Sequence, residues 1–328
     1  MKVLFLTGSL KQGGAEFQLI SLAKLFKDNG NQVRILALTD HQFYKNLVDE
    51  FDIDYSFLSN DLSRIKRTYL TVRAVNSFKP DYIISYLRSV SLVAIAAKFF
   101  SSVRTRLITS ERTSLTIPYY DGFYFFLSRY ADALTVNSQF KLRYISERYP
   151  ALSKKVFFFP NILDLNRFPK DIPAKQNKEL TLAYVGRIAP EKNLDKLIAA
   201  VNILHNEGIK IELDLYGDVK HSKYYSELLK QIAQLQLVSH VRMHPATGDV
   251  VAVYCKTDAI CLMSEYEGFS NVLSEALACG CPIIASDIEE NQFLVEESVN
   301  GFLVKNTIQD IARGIRKFSS LGVGQRHA

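Results

Sequence analysis

Hydrophobic and polar positions along the chain come in blocks: a short, nearly continuous apolar run, a turn of glycine or polar residues, then a longer stretch with apolar residues at helical spacing. The first block is the plainest, with an apolar run over 2–7 that stops at Gly8 and a helical pattern over 15–25. The same reading predicts strands at 32–38, 82–85, 106–109, 133–136 and 156–159, with helical stretches between them. A second series of apolar runs follows at 181–185, 212–216, 241–244, 259–262, 282–285 and 302–304, and helices are predicted at 272–279 and 308–318. Strand and helix in alternation imply parallel, doubly wound sheets, because a parallel pair needs a crossover long enough to hold a helix. Between the two series, residues 160–169, bounded by Pro160 and Pro169, and the polar stretch through Lys178 read as a linker. That puts one α/β domain at 1–168 and a second at 169–328.

Composition supports the two-domain reading, since 328 residues with 48% hydrophobic content exceed what one small core accommodates. No apolar run reaches the roughly 18 residues that span a bilayer, and the apolar start is too short for a signal peptide, so a cytoplasmic protein is expected. Cys255, Cys261, Cys279 and Cys281 all lie in the last quarter. The one-residue gap of Cys279-x-Cys281 is too close for usual zinc spacing, which favours buried thiols. Charge is uneven: residues 1–165 hold 22 Lys+Arg against 14 Asp+Glu, a net of +8, and the remainder holds 18 against 20, a net of −2. Arg64, Lys66 and Arg67 form one basic patch, Arg104, Arg106 and Arg112 a second, and Arg143, Arg148, Lys154 and Lys155 a third. Such a domain suits nucleic acid, an anionic membrane surface or a phosphorylated acceptor, and the absence of a nucleic-acid motif favours the last two.

Candidate chemistry concentrates at 264–285, where Glu267 and Glu275 flank the start of a helix that runs into an apolar strand. Gly268 permits close backbone approach, Ser270 or Asn271 can cap, and the unpaired amides around Phe269 suit an anion. Glu267, in the loop, can reach a ligand's hydroxyls, while Glu275, inside the helix, can accept from a pair of hydroxyls such as a ribose diol. Upstream, Gly186-Arg187-Ile188-Ala189-Pro190-Glu191-Lys192-Asn193 follows one predicted strand and precedes a helix. Arg187 can fork across two phosphate oxygens and Lys192 can add a point charge. Near the start, Gly13-Gly14-Ala15-Glu16 forms a small-residue loop before a helix, with Glu16 in its first turn. The glycines at 8, 13 and 14 spell neither a dinucleotide fingerprint nor a P-loop.

These segments resemble family 4 glycosyltransferases. Glu-Gly-Phe-Ser-Asn-Val-Leu-Ser-Glu-Ala-Leu-Ala-Cys-Gly-Cys-Pro from Glu267 matches the family's donor-binding motif, and Gly186 to Asn193 matches its Gly-Arg-x-x-x-x-Lys-Asn. Gly13-Gly14-x-Glu16 matches its first-domain loop, and Pro160-Asn161 begins its linker segment, with Ile162 where glycine is usual. The resemblance implies a GT-B architecture: two Rossmann-like doubly wound domains facing each other across a cleft. It implies a retaining enzyme that moves a sugar from a nucleoside diphosphate to a hydroxyl, with UDP-sugar the first donor and GDP-sugar the second. Glu267, Arg187 and Lys192 would be catalytic; Gly186, Tyr216, Gly217, Gly268, Phe269, Ser270, Asn271 and Glu275 would bind the donor. Gly13, Gly14, Glu16 and Arg112 would form the acceptor and phosphate loop. No metal or other cofactor is expected. Glu267 would position the sugar while the leaving phosphate takes the acceptor's proton, with Glu267 as nucleophile the alternative.

Departures qualify the transfer of roles. Ser110-Glu111-Arg112 stands where many members carry a histidine, so Glu111 or Arg112 would contact donor or acceptor there, and Tyr216-Gly217-Asp218 lacks the family's second glycine. The aromatic run 117–126 beside Arg112 and Arg129 suits membrane headgroups, or else packs inward as a helix. The expected acceptor is lipid-linked or an oligosaccharide, in surface polysaccharide synthesis, with peripheral contact at the inner membrane face and no nucleic acid. Family members continue for further helices beyond the one at 308–318, and so a shortened, inactive or partner-dependent homologue acting as a binding protein is the alternative. Sugar-nucleotide epimerases share the two-domain plan but not the two-glutamate motif.

Overall fold

The computed structural model describes residues 1–112, 118–169 and 179–321, with side chains omitted at 118–120. The start of the aromatic run at 117, the polar stretch 170–178 and the last residues 322–328 lie outside the described residues. The chain forms two compact units, Met1–Ile162 and Leu163–Ala328. The sequence reading placed the division after residue 168; Phe168 packs with the core of the second unit.

The first unit contains β1 (Lys2–Thr7), α1 (Gly14–Asp28), β2 (Gln32–Ala37), α2 (Lys45–Glu50), β3 (Asp54–Phe57), α3 (Arg64–Phe78) and β4 (Tyr82–Tyr86). It continues with α4 (Arg88–Phe100), β5 (Arg106–Glu111), α5 (Pro118–Ser128), β6 (Ala133–Val136), α6 (Gln139–Arg148) and β7 (Val156–Phe158). Its seven strands are parallel in the order β3-β2-β1-β4-β5-β6-β7. Alternate residues of β1 feed different cores: Val3 and Phe5 pack with α1, Leu4 and Leu6 with α3 and α4. That two-sided burial is why the strand reads as a continuous apolar run. The edge strand β3 has no such run; its residues alternate between exposed and half-buried, and the hydrophobic pattern did not single it out.

The second unit contains β8 (Leu180–Val185), α7 (Leu194–Asn206), β9 (Ile211–Tyr216), α8 (Ser222–Gln234), β10 (Val241–His244) and α9 (Val250–Lys256). It ends with β11 (Ala259–Leu262), α10 (Asn271–Ala278), β12 (Ile283–Ser286), α11 (Glu289–Gln292), β13 (Gly301–Val304) and α12 (Ile308–Ser319). Six parallel strands run β10-β9-β8-β11-β12-β13. In each sheet the strand order reverses direction once, between β1 and β4 in the first and between β8 and β11 in the second. A reversal leaves a crevice beyond the strand C-termini, since the two flanking helices depart to opposite faces. Cys261, Cys279 and Cys281 are buried free thiols and Cys255 is half-buried, in line with the sequence reading. Among the described residues no helix is long and apolar enough to cross a membrane.

Candidate functional site

The crevice between β8 and β11 collects most of the expected site residues. β8 is followed by Gly186, whose φ of 154° disfavours a side chain and whose amide donates to the Tyr216 carbonyl at the end of β9 (2.9 Å). A Cβ on Gly217 would stand 1.7 Å from the Gly186 carbonyl oxygen. The two strand ends therefore touch backbone to backbone, which requires glycine at 217, while a Cβ on Gly186 would meet the Tyr184 hydroxyl at 2.6 Å. The turn that follows is held from below by the Tyr184 hydroxyl, which donates to the Arg187 carbonyl (2.7 Å). Arg187 itself extends outward, 61% exposed and 3.6 Å from Glu191.

A short helical turn, Pro190–Lys192, then aims Lys192 back toward the loop after β11. Lys192 Nζ donates to Glu267 Oε1 at 2.6 Å and to Ser264 Oγ at 3.3 Å, and the Ser264 hydroxyl donates to the same Glu267 oxygen at 2.7 Å. Asn193 donates to the Met263 carbonyl (3.0 Å), and the Glu265 amide donates to the Glu191 carbonyl (2.9 Å). The two motifs are thus one construction, stitched across the switch point by backbone and side chain. Lys192 and Glu267 hold one another, which the sequence reading, treating each as a separate ligand contact, did not foresee. Ser264 was missed outright.

Beyond Glu267 the chain passes Gly268 and Phe269 to Ser270, which caps α10 by accepting from the Leu273 amide (3.2 Å); of the two caps considered, Ser270 is the one used. Phe269 packs edge-on to Phe293 (6.0 Å between centroids), and Asn271 is the first residue of α10. Glu275, on the second turn of α10, accepts from the Tyr254 hydroxyl at 3.0 Å. Burial pushes its carboxyl above the usual range, opposed by that hydrogen bond and by Arg167. Tyr254 lies on α9, and nothing in the spacing of the sequence links it to Glu275. At the ends of β9 and β10 the rings of Tyr216 and His244 stack (4.4 Å, 12°), and His244 Nε2 lies 2.7 Å from Asp214 Oδ1. Among the described residues no three His, Cys, Asp or Glu side chains gather as a metal site would require.

In the first unit, Gly13 precedes α1 and carries no capping side chain; instead the Glu16 carboxyl folds back over it, where a Gly13 Cβ would meet Glu16 Oε2 at 2.3 Å. Glu16 is buried, its carboxyl is pushed up by that burial, and its Oε1 has no hydrogen-bond partner. Gly14 is the first residue of α1. Gln18, further along α1, exchanges hydrogen bonds with the Ile162 backbone (2.7 and 2.9 Å). Arg112 is committed to the scaffold: it donates to the Tyr86 hydroxyl (2.6 Å), Ser110 Oγ (2.8 Å), the Phe159 carbonyl (3.1 Å) and Asn161 Oδ1 (3.1 Å). Its guanidinium also stacks on Tyr86, 4.4 Å from the ring centroid. Glu111 is buried against Arg88, which also pairs with Asp121 at the start of α5. The segment Ser110-Glu111-Arg112 therefore ties strand ends and helices together within its own unit.

Known glycosyltransferases resemble the chain in both units. The family model "Glycosyl transferases group 1" matches residues 167–328, and "Glycosyltransferase Family 4" matches residues 12–167. The D-inositol 3-phosphate glycosyltransferase of Segniliparus rotundus is 29% identical over 184 residues, which cover 53% of this chain and 41% of that protein, so the match spans less than half of that relative. A Campylobacter jejuni relative, "GalNAc-alpha-(1->4)-GalNAc-alpha-(1->3)-diNAcBac-PP-undecaprenol alpha-1,4-N-acetyl-D-galactosaminyltransferase", is 27% identical over 323 residues, covering 93% of this chain and 84% of its own. Among solved structures, Anabaena HepE in complex with UDP superposes with a TM-score of 0.84 at 23% identity, covering 100% of this chain and 93% of that one. The two family matches run together from residue 12 to residue 328, both units are Rossmann-like, and the chain belongs to the GT-B glycosyltransferases of family 4.

Proposed function

We propose that the chain is a retaining glycosyltransferase that moves a sugar from a nucleoside diphosphate to a hydroxyl of a lipid-linked or oligosaccharide acceptor, in surface polysaccharide synthesis. UDP-sugar is the first donor and GDP-sugar the second. The observation that carries this reading is the Lys192–Glu267 pair at the β8/β11 switch point, with Arg187 open to solvent beside it. A diphosphate in that crevice meets the Arg187 fork, the Lys192 ammonium and the amides at the start of α10, which together offset the charge that develops on the leaving group without a metal ion.

In the proposed reaction the bond from the anomeric carbon to the phosphate oxygen breaks as the acceptor oxygen attacks from the same face. The acceptor's proton passes to the departing phosphate, so a nucleoside diphosphate and a new glycoside result. Glu267 is oriented by Lys192 and Ser264 to hold sugar hydroxyls, and Glu275, steadied by Tyr254, accepts from the ribose diol. The UDP in the HepE complex supports the base preference, and the diphospho-undecaprenol substrate of the Campylobacter relative supports a lipid-linked acceptor. An anionic membrane surface is the proposed peripheral contact, met by the outer face of α5 and the end of α4.

Thermal melts with UDP, GDP, ADP and their sugar conjugates test this directly. A ligand at 100 times its Kd adds about 2.7 kcal/mol of stability, a readily measured rise in Tm. UDP and one UDP-sugar are expected to raise the Tm, and Arg187→Ala is expected to abolish the rise. A folded chain that no nucleotide stabilises would overturn the transferase reading in favour of a binding protein.

A further inference from the structure

The basic first turn of α3 has no use in the donor chemistry. It reads Arg64-Ile65-Lys66-Arg67 after the Ser63 cap and contains no acidic residue. Cations at a helix N-terminus oppose the macrodipole, so this turn is arranged against its own stability. Arg64, Arg67 and Thr68 follow one face of the helix and line a cavity of about 450 Å3 together with Gly8 and Thr39, from the loops after β1 and β2. The cavity lies at the C-terminal edge of the first sheet, near the β1/β4 switch point, where a doubly wound fold places its ligands. Apart from Ser89, the rest of its lining is apolar: Leu38, Val90, Leu92, Val93 and the exposed Phe123. Arg67 Nη2 donates to the Asn60 carbonyl (2.8 Å), while its Nε is buried with no partner. A buried donor without an acceptor is costly, and here it belongs to a residue that faces a cavity.

We propose that this cavity is a subsite for a phosphorylated lipid, with the phosphate or diphosphate held by Arg64 and Arg67 and the first carbons of the lipid chain against Val90, Val93 and Phe123. The proposal rests on the transferase reading above and gives its acceptor a chemical class. Two guanidiniums a turn apart match the oxygens of a diphosphate, and an accepting oxygen at Arg67 Nε satisfies a donor that the fold leaves unmet. The apolar wall selects a lipid ester over the free anion.

The test is a calorimetric titration of the full chain with farnesyl diphosphate, inorganic pyrophosphate and farnesol, with UDP at saturation so that the second unit's phosphate site is filled. Farnesyl diphosphate is expected to bind about tenfold tighter than pyrophosphate, one decade per 1.4 kcal/mol of apolar contact, and farnesol weakly. Arg64→Ala with Arg67→Ala is expected to weaken farnesyl diphosphate by tenfold or more. The charge-matched pair Arg104→Ala with Lys154→Ala, both exposed in the same unit, is expected to leave it within about twofold, as distant surface charges are screened. An unchanged UDP-induced rise in Tm shows that the double variant is folded. Equal binding of pyrophosphate and farnesyl diphosphate, or equal losses in the two double variants, would overturn the subsite. If UDP still stabilises the wild-type chain in that case, the transferase reading stands and only this inference falls; if UDP does nothing, the donor reading falls independently.

Discussion

At the scale of single residues, the β8/β11 crevice buries a carboxyl at a cost in stability. Burial holds the Glu275 carboxyl above its ordinary range. The folded pKa therefore exceeds the unfolded one, and the group's contribution to stability is fully present below the ordinary carboxylate value of 4.5 and is lost as pH rises through the folded value. Glu16 carries the same sign for the same reason, burial near α1. Glu275→Gln removes the buried charge, so its Tm at pH 8 is expected to equal or exceed that of the wild type, with the gap closing as pH falls toward 4.5. On the proposed role of Glu275 as acceptor for the ribose diol, the same change is expected to weaken UDP about tenfold. A variant that melts lower at pH 8 and keeps its UDP affinity would make Glu275 a structural group instead. Gly217 is simpler: alanine there places a methyl 1.7 Å from the Gly186 carbonyl oxygen, and the strand ends must separate. Gly217→Ala is expected to cost about 2 kcal/mol or more in denaturant unfolding, within the range for backbone-displacing overpacking.

At the scale of elements, α10 carries Glu275 and the proposed donor contacts at its start, and its position depends on a cap. Ser270→Ala removes the bond to the Leu273 amide and is expected to cost about 1 kcal/mol of stability, while Ser270→Asp, which restores an accepting oxygen, is expected to recover most of it; urea titration of the three proteins decides. Elements buried on both faces were the ones readable in advance: β1, β8, β11 and β12 carry apolar runs because both sides of each strand meet a core. β3 was not readable, because an edge strand with one half-buried face has no such run. The candidate site was readable only as segments. Arg187, Lys192, Glu267 and Glu275 stood out by spacing, whereas the pairing of Lys192 with Glu267 and with Ser264 depends on the β8/β11 adjacency, and the Tyr254 hydroxyl reaches Glu275 because α9 packs against α10. Glu111 and Arg112 show the converse: the sequence marks them as unusual, and the fold spends them on Arg88 and on the chain's exit through Phe159 and Asn161.

At the scale of the whole molecule, net positive charge and exposed aromatics concentrate in the first 165 residues, which carry the net +8. The aromatic helix α5 packs part of its run inward and leaves part exposed. Tyr124 and Phe125 are buried, while Phe123 and Phe126 are 57% and 52% exposed. Phe126 stacks under Arg129, 4.0 Å from the ring centroid, Arg129 also covers Tyr130, and Tyr130 meets Phe99 edge-on at 5.1 Å. Phe99 and Phe100, at the end of α4, are 59% and 75% exposed. Aromatic rings interleaved with a guanidinium fit the headgroup layer, where rings enter the interface and cations meet anionic lipid. Each basic residue near such a surface contributes about 1 kcal/mol, and the attraction decays over about 10 Å at 0.1 M salt. Cosedimentation with vesicles containing phosphatidylglycerol is therefore expected to capture the chain at low salt, to release most of it at high salt, and to fail with phosphatidylcholine alone. Phe100→Ser with Arg129→Ser should reduce capture by about tenfold or more through loss of one apolar and one charged contact. UDP stabilisation, which the proposed function assigns to the other unit, should be unchanged. Capture that survives both substitutions would move the membrane face elsewhere on the basic unit; capture that is indifferent to lipid charge would mean that the +8 serves the acceptor's phosphates and not the bilayer.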